Sequence, residues 1–181
     1  NIDELSKAIG MDHRIGPHFL KTSVGFGGSC FQKDILNLAY LCKYYDLNEV
    51  AEYWLQVLNI NDYQKRRFSE KIINSFNGNI HGKTITILGW AFKPNTNDSR
   101  ESTAIYVGYD LLKAGAILKI YDPMVKKTRI IEDLQSLIEQ DLEIKSKKFE
   151  IINRIKIYSK IESAINNTDA ISVVTEWDEF R

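Results

Sequence analysis

The sequence predicts an α/β protein in two parts: a helical region with one long helix, then a parallel-sheet unit. Three observations predict it. Apolar residues recur at helical spacing from residue 48 towards residue 75, at Val50, Trp54, Leu58, Phe68, Ile72 and Phe76. The β-branched run Thr84-Ile-Thr-Ile-Leu88 then opens a different texture, in which short apolar strands alternate with helical segments. Between the two lies Asn77-Gly78-Asn79, a helix-stop and turn signal, which sets a boundary between residues 1–79 and residues 80–181.

Taken in order, residues 3–9 predict a short helix closing near Gly10, and residues 11–28 a loop-rich segment containing Arg14, Gly16 and Pro17. A helix is expected from Ser29 to about Tyr44 or Tyr45, carried by Ile35, Leu36, Leu38, Ala39 and Leu41. The long helix follows from Asn48, and the polar stretch 61–67 interrupts its apolar pattern. Helices beyond about 25 residues more often bridge domains or subunits than cover a single core, so this one predicts a homodimer. In the second part, strands are expected at 84–88, 117–121, 155–158 and 170–174, and helices at 102–113 and 161–165. Residues 126–153 are charged and read as helix with a mobile loop. Alternation of this kind predicts a doubly wound, Rossmann-like parallel sheet.

Composition narrows the function classes. The chain has 181 residues with 24 basic and 24 acidic side chains, enough for one domain or a domain plus a helical arm. Zero net charge leaves no electrostatic footprint for nucleic acid or for an anionic membrane surface. No apolar run approaches the ~20 residues that span a bilayer. Two cysteines make no disulfide framework, and reduced thiols point to the cytoplasm. His13, His18 and His81 are scattered without ligand spacing, so no metal site is expected. The chain opens on Asn1 rather than Met and stops at Arg181 just after an expected strand, which suggests a piece of a longer protein, truncated at both ends.

Chemistry concentrates at Ser23-Val-Gly-Phe-Gly-Gly-Ser-Cys-Phe-Gln-Lys-Asp34, where a glycine-rich loop runs into a cysteine at an expected helix start. Unpaired backbone N–H groups favour an anion there, which makes a thiolate at Cys30 a usable nucleophile. Asp34, one helical turn on, shares its face; a carboxylate there opposes thiolate formation but suits a site that moves a proton or orients a water. Lys33 can offset its charge. Cys42 continues an apolar helix face and reads as a small buried hydrophobe. On the residues alone, Cys30 is either reactive or another such hydrophobe. Glycines 25, 27 and 28 follow no expected strand, so they suggest close backbone approach to a sugar or a phosphate. The turn after the first strand, Gly89-Trp-Ala-Phe-Lys-Pro94, has one glycine where a dinucleotide fingerprint needs three. Residues 82–181 are therefore not expected to bind NAD in the usual way, and Asp122 reads as a turn residue before Pro123.

Three segments resemble the UDP-glucose/GDP-mannose dehydrogenase family in the right order: Gly25-Phe-Gly-Gly-Ser-Cys-Phe-Gln-Lys-Asp34; Gly89-Trp-Ala-Phe-Lys93 with Thr96, Asp98, Arg100 and Ser102; and Thr175-Glu-Trp-Asp178. The resemblance implies a C-terminal Rossmann-like domain holding UDP, a long dimer-forming helix, and an NAD domain preceding both. It implies oxidation of UDP-glucose to UDP-glucuronate by two hydride transfers, through a cysteine thiohemiacetal and thioester. By motif position it makes Cys30 the nucleophile and Asp34 the carboxylate that assists the water step. It assigns the substrate to Phe19, Leu20, Lys21, Ser23, Gly27, Phe92 and Lys93, with Arg14 reaching a neighbouring subunit's substrate, and Arg100 to NAD. NAD itself would be bound mainly by the preceding domain, so these residues alone are expected to be inactive. Trp90 and Pro94-Asn95 depart from the family pattern. The competing expectations are another sugar nucleotide (GDP-mannose or a UDP-N-acetyl amino sugar) and a non-catalytic nucleotide-binding or dimerisation module.

Overall fold

A computed structural model describes residues 1–181. Helix α1 (Ile2–Gly10) is capped by Asn1, whose side chain accepts the Asp3 N–H at 3.0 Å. An irregular segment then leads to α2 (Phe31–Tyr44) and α3 (Asn48–Ser75), the latter 28 residues long. The turn between them is tight: Asp46 takes φ +58°, and the Leu47 N–H returns to the Cys42 carbonyl at 2.8 Å. The two helices pack through Ala39, Cys42 and Ala51, small residues that let the backbones approach. Cys42 is thus the buried hydrophobe expected of it.

Stretch 61–67 does not interrupt α3. Asn61, Lys65 and Ser69 recur every four residues, so they form one stripe, and all three are buried. The sequence pattern reads as a break because the surface facing that stripe is polar, not because the helix ends. Further along, Phe68, Ile72, Ile73 and Phe76 pack against the core of the sheet unit. The helix closes at Phe76, with Asn77 and Gly78 at positive φ.

The sheet has four parallel strands, β1 (Thr84–Leu88), β2 (Ile117–Tyr121), β3 (Ile155–Ile157) and β4 (Ala170–Val173), in the order β3-β2-β1-β4. Helices α4 (Thr103–Lys113), α5 (Lys127–Gln140), α6 (Lys148–Ile152) and α7 (Ile161–Ile165) connect them. Strand alternation assigns the two faces. Ile85 and Ile87 join Leu111, Leu118, Ile120 and Leu134 in the main core, while Thr86 and Leu88 turn to α7, where the Thr86 hydroxyl donates to the Ala164 carbonyl at 2.8 Å. Residues 126–153 hold the expected helix as α5, and a 3-10 turn at Lys145–Lys147 and α6 stand where a mobile loop was expected.

Candidate functional site

Gly25-Phe-Gly-Gly28 is gripped from two sides. On the α3 side, the Asn61 side chain accepts the Phe26 N–H at 2.8 Å and donates to the Phe26 carbonyl at 3.0 Å. On the α4 side, the Gly28 N–H donates to the Arg100 carbonyl at 2.9 Å. A Cβ at Gly27 would stand 2.3 Å from the Glu101 carbonyl oxygen, and one at Gly28, where φ is +89°, would stand 2.9 Å from the Phe92 ring. The close approach these glycines permit is in the first place to the chain itself.

This packing bears on the dinucleotide question. In a doubly wound sheet the pyrophosphate sits at the N-terminus of the helix after β1. Here that helix is α4, capped by buried Ser102, and the loop at Gly27 lies against Glu101 and Ser102. Trp90 fills the turn with a fully buried indole against Gly108. The residues at this place do not fit an NAD pyrophosphate.

Asp122 is more than a turn residue. Its buried carboxylate accepts the N–H groups of Trp90 at 2.6 Å, Ala91 at 3.0 Å, Met124 at 2.9 Å and Val125 at 2.8 Å, and the Trp177 indole at 3.2 Å. The acid at the end of β2 is spent on fixing the β1 turn, which leaves it no lone pair direction for a ribose.

Cys30 follows the gripped loop as the N-cap of α2, with φ −100° and ψ −54°, and its thiol is exposed. Its carbonyl accepts the Asp34 N–H at 2.8 Å, and the Ser29 hydroxyl lies 3.7 Å from its sulfur. The first-turn N–H groups of α2 start at this residue. The helix thus begins two residues later than expected and still puts the sulfur at its positive end. Beside it opens a cleft of about 610 Å³ whose lining includes Ser29, Lys33, Arg100, Arg129 and Asp133. Arg100 forks onto Asp98, with Nε–Oδ1 at 3.0 Å and a second nitrogen to Oδ2 at 2.8 Å. That guanidinium holds the Asp98 carboxyl below its usual range; Asp98 in turn, and the nearby Cys30 sulfur to a lesser degree, hold Arg100 more firmly charged.

Asp133 ties the floor of the cleft together. It accepts from the Trp90 indole at 3.1 Å and the Ser99 hydroxyl at 2.6 Å, and pairs with Arg129 at 2.8 Å. Burial raises its carboxyl above the usual range despite those donors. Nothing in the sequence marked Asn61, Asp133 or Arg129. The one available signal was the polar run inside a helix, and its meaning depended on a loop 35 positions away.

The structure brings Cys30, Gly27, Phe92 and Arg100 together through the loop contacts, with the Lys93 ammonium 5.4 Å from the Phe92 ring centre. The other expected residues lie elsewhere on the surface. Arg14 is exposed and bonded to Asp12 at 3.0 Å. Phe19 is fully exposed at φ +60°, the Leu20 carbonyl accepts from Ser6 at 2.8 Å, and Lys21 is exposed. Ser23 lines a second cleft of about 410 Å³, with Gln64, Arg67, Lys71 and Glu176 beyond the end of β4. Asp34 is exposed one turn beyond Cys30. No group of three or more His, Cys, Asp or Glu side chains is arranged to hold a metal ion, and no helix is long and apolar enough to cross a membrane.

Comparison with known proteins adds an independent line. Residues 86–181 match the model of the UDP-glucose/GDP-mannose dehydrogenase family UDP binding domain, and residues 1–63 match that family's central domain. The chain is 51% identical to UDP-glucose 6-dehydrogenase of Drosophila melanogaster over 99% of its length, covering 37% of that protein. It is 47% identical to the Bos taurus protein of the same name over its whole length, covering 35% of it. The chain thus spans a little over a third of these relatives. Among solved structures, a UDP-glucose dehydrogenase from Pyrobaculum islandicum superposes with a TM-score of 0.75 at 27% identity, over 98% of this chain and 36% of that one. A GDP-mannose dehydrogenase from Pseudomonas aeruginosa shares the fold, with a TM-score of 0.68 at 23% identity over 98% of this chain and 38% of that one.

Proposed function

The chain belongs to the UDP-glucose/GDP-mannose dehydrogenase family, and from that premise we propose that it forms part of an NAD-dependent oxidoreductase converting UDP-glucose to UDP-glucuronate. Residues 1–79 would supply the cysteine loop and dimer helix, and residues 80–181 the UDP-sugar domain. The observation that carries this reading is the place of Cys30: an exposed thiol at the N-terminus of α2, on a loop pinned from both sides, beside a charged cleft. Relatives at 51% and 47% identity carry the name UDP-glucose 6-dehydrogenase, which favours UDP-glucose over GDP-mannose or an N-acetyl amino sugar.

In this proposal Cys30 Sγ adds to the aldehyde carbon at C6, forming a C–S bond while the carbonyl oxygen takes up a proton. The thioester would follow once the C6 hydride has passed to the NAD that the uncovered portion of the protein would hold, with loss of the hydroxyl proton. Water then adds, the C–S bond breaks, and the carboxylate product leaves as the sulfur regains its proton. Asp34, exposed one turn along the same helix, orients that water. Phe92, Lys93 and Gly27 line the approach to the sulfur, while Phe19, Leu20, Lys21 and Ser23 take the nucleotide and Arg14 serves a neighbouring subunit. NAD is assigned to the portion of the relatives that this chain does not cover, since the α4 start offers it no seat; Arg100 alone approaches it from the cleft rim. The apolar side chains left exposed on α2 and α3, such as Leu41, Val50 and Tyr53, are assigned to a homodimer contact.

The test is Cys30→Ser in the full-length protein, supplied with UDP-glucose and NAD. UDP-glucuronate formation should fall to background, and undiminished output would overturn the assignment. Alkylation separates out the non-catalytic module: Cys30 should react first, with Cys42 protected.

A further inference from the structure

We propose that Asn61 is a positioning residue, fixing from the long helix where the Cys30 sulfur stands; the inference rests on the reading of Cys30 as nucleophile. An asparagine inside a helix is a weak helix former, and a buried amide is costly unless its hydrogen bonds are made. Asn61 is 4% exposed, and its amide is matched to the backbone of one residue, accepting from the Phe26 N–H and donating to the Phe26 carbonyl. Aspartate lacks the donor, alanine and leucine lack both groups, and glutamine carries the amide one methylene too far. Gly25 fits this contact: at φ +130° a Cβ there would meet the Asn61 oxygen at 2.6 Å.

A second arm from the same helix face reaches the opposite side of the loop. The Lys65 ammonium lies 3.8 Å from the centre of the Tyr106 ring, and the Tyr106 hydroxyl donates to Glu101, the residue whose carbonyl abuts Gly27. Glu101 itself is held at φ +54°. The loop is therefore clamped between α3 and the start of α4, and Cys30 lies two residues past its last glycine. Releasing Phe26 frees the segment that aims the sulfur, while the Leu20 carbonyl keeps its bond from Ser6 and the Ser23 carbonyl its bond from Gln64.

The test uses Asn61→Leu, which keeps the branched heavy-atom shape without donor or acceptor, in the full-length protein. Amide exchange at residues 26–28 should quicken roughly tenfold, from the loss of both bonds. The iodoacetamide rate at Cys30, relative to wild type at the same pH, should change severalfold. Turnover should fall about tenfold with KM for UDP-glucose within about twofold. Faster exchange with unchanged alkylation and turnover would make Asn61 a structural residue only and overturn the proposal, as would losses that merely track a lowered thermal midpoint. Should Asn61→Leu not fold, Asn61→Asp carries the same readouts, because it keeps the acceptor for the Phe26 N–H and lacks the donor. A Cys30→Ser protein with full turnover would sink the catalytic reading, yet exchange and alkylation would still decide whether Asn61 aims the loop.

Discussion

The sheet unit and the helical hairpin bury their apolar side chains to very different degrees. Around β1 and β2, Ile85, Ile87, Leu111, Leu118 and Ile120 are wholly buried, with helices on both faces. In the α2–α3 hairpin the shared core is Ala39, Cys42 and Ala51, while Leu36, Tyr40, Leu41, Tyr44, Val50 and Tyr53 remain exposed. The apolar side chains at the centre of the sheet unit are covered by its own helices; many of the hairpin's are left uncovered. The seam between them, where α3 grips the glycine loop, carries the proposed chemistry. Stability and activity should therefore respond to mutation in different halves.

The strongest blow to the sheet unit is Asp122→Ala. It strips the acceptor from four backbone N–H groups and the Trp177 indole in a buried setting. A loss of about 3–5 kcal/mol is expected in denaturant unfolding. A loss under about 1 kcal/mol would mean that the turn after β1 is held by packing alone.

Next comes a paired substitution that tests the contrast itself. Ile87→Ala, at a wholly buried site, should cost about 2–5 kcal/mol of folding stability. Leu41→Glu, at an exposed hairpin site, should leave folding within about 0.5 kcal/mol while weakening self-association by at least roughly tenfold in sedimentation. Equal effects on folding would erase the distinction between the halves. At the seam, Gly28→Ala combines a positive φ with a clash against the Phe92 ring, so about 1–3 kcal/mol should be lost. Its alkylation rate at Cys30 should shift as well.

The sequence made the architecture legible wherever a residue's role depends on its near neighbours. The bounds of α3, the four strands and the capped start at Ser102 follow from periodicity and local stop signals. What stayed hidden depends on contacts made across the fold. Asn61 reads as a helix interruption until Phe26 is seen beside it, and Asp122 reads as a turn until five N–H donors converge on it. Glycines 25, 27 and 28 announce close approach without saying to what; here they meet the chain's own α3 and the connection between β1 and α4. Cys30 was legible as a helix-start thiol, but the role proposed for it rests on the resemblance of three motifs. Asp133 gave no signal because a buried acid on an amphipathic helix looks like any surface acid.

Acid should expose the smallest difference between the halves, and its sign can be worked out. Asp141, at the end of α5, is held below the usual carboxylate range by Lys113 first, then by the Tyr109 hydroxyl and the Glu143 N–H. Asp169 is lowered by the Thr84 N–H first and then by Lys83. Both lie in the sheet unit. A carboxyl lowered by folding binds fewer protons in the folded chain, so its contribution is present above its ordinary value and fades as pH falls below it. The part of the sheet unit's thermal midpoint that rests on these two carboxylates should therefore fade as pH goes from about 5 to about 2. It does so against the opposite push of Asp133 and Asp110, which burial raises. Asp141→Asn should flatten the fall while lowering the midpoint at neutral pH. Because Lys113 and Lys83 are partly exposed, salt should shrink the effect. An unchanged slope in Asp141→Asn would move the acid sensitivity away from the α4–α5 contact, and with it the claim that the sheet unit's periphery is pinned by its own carboxylates.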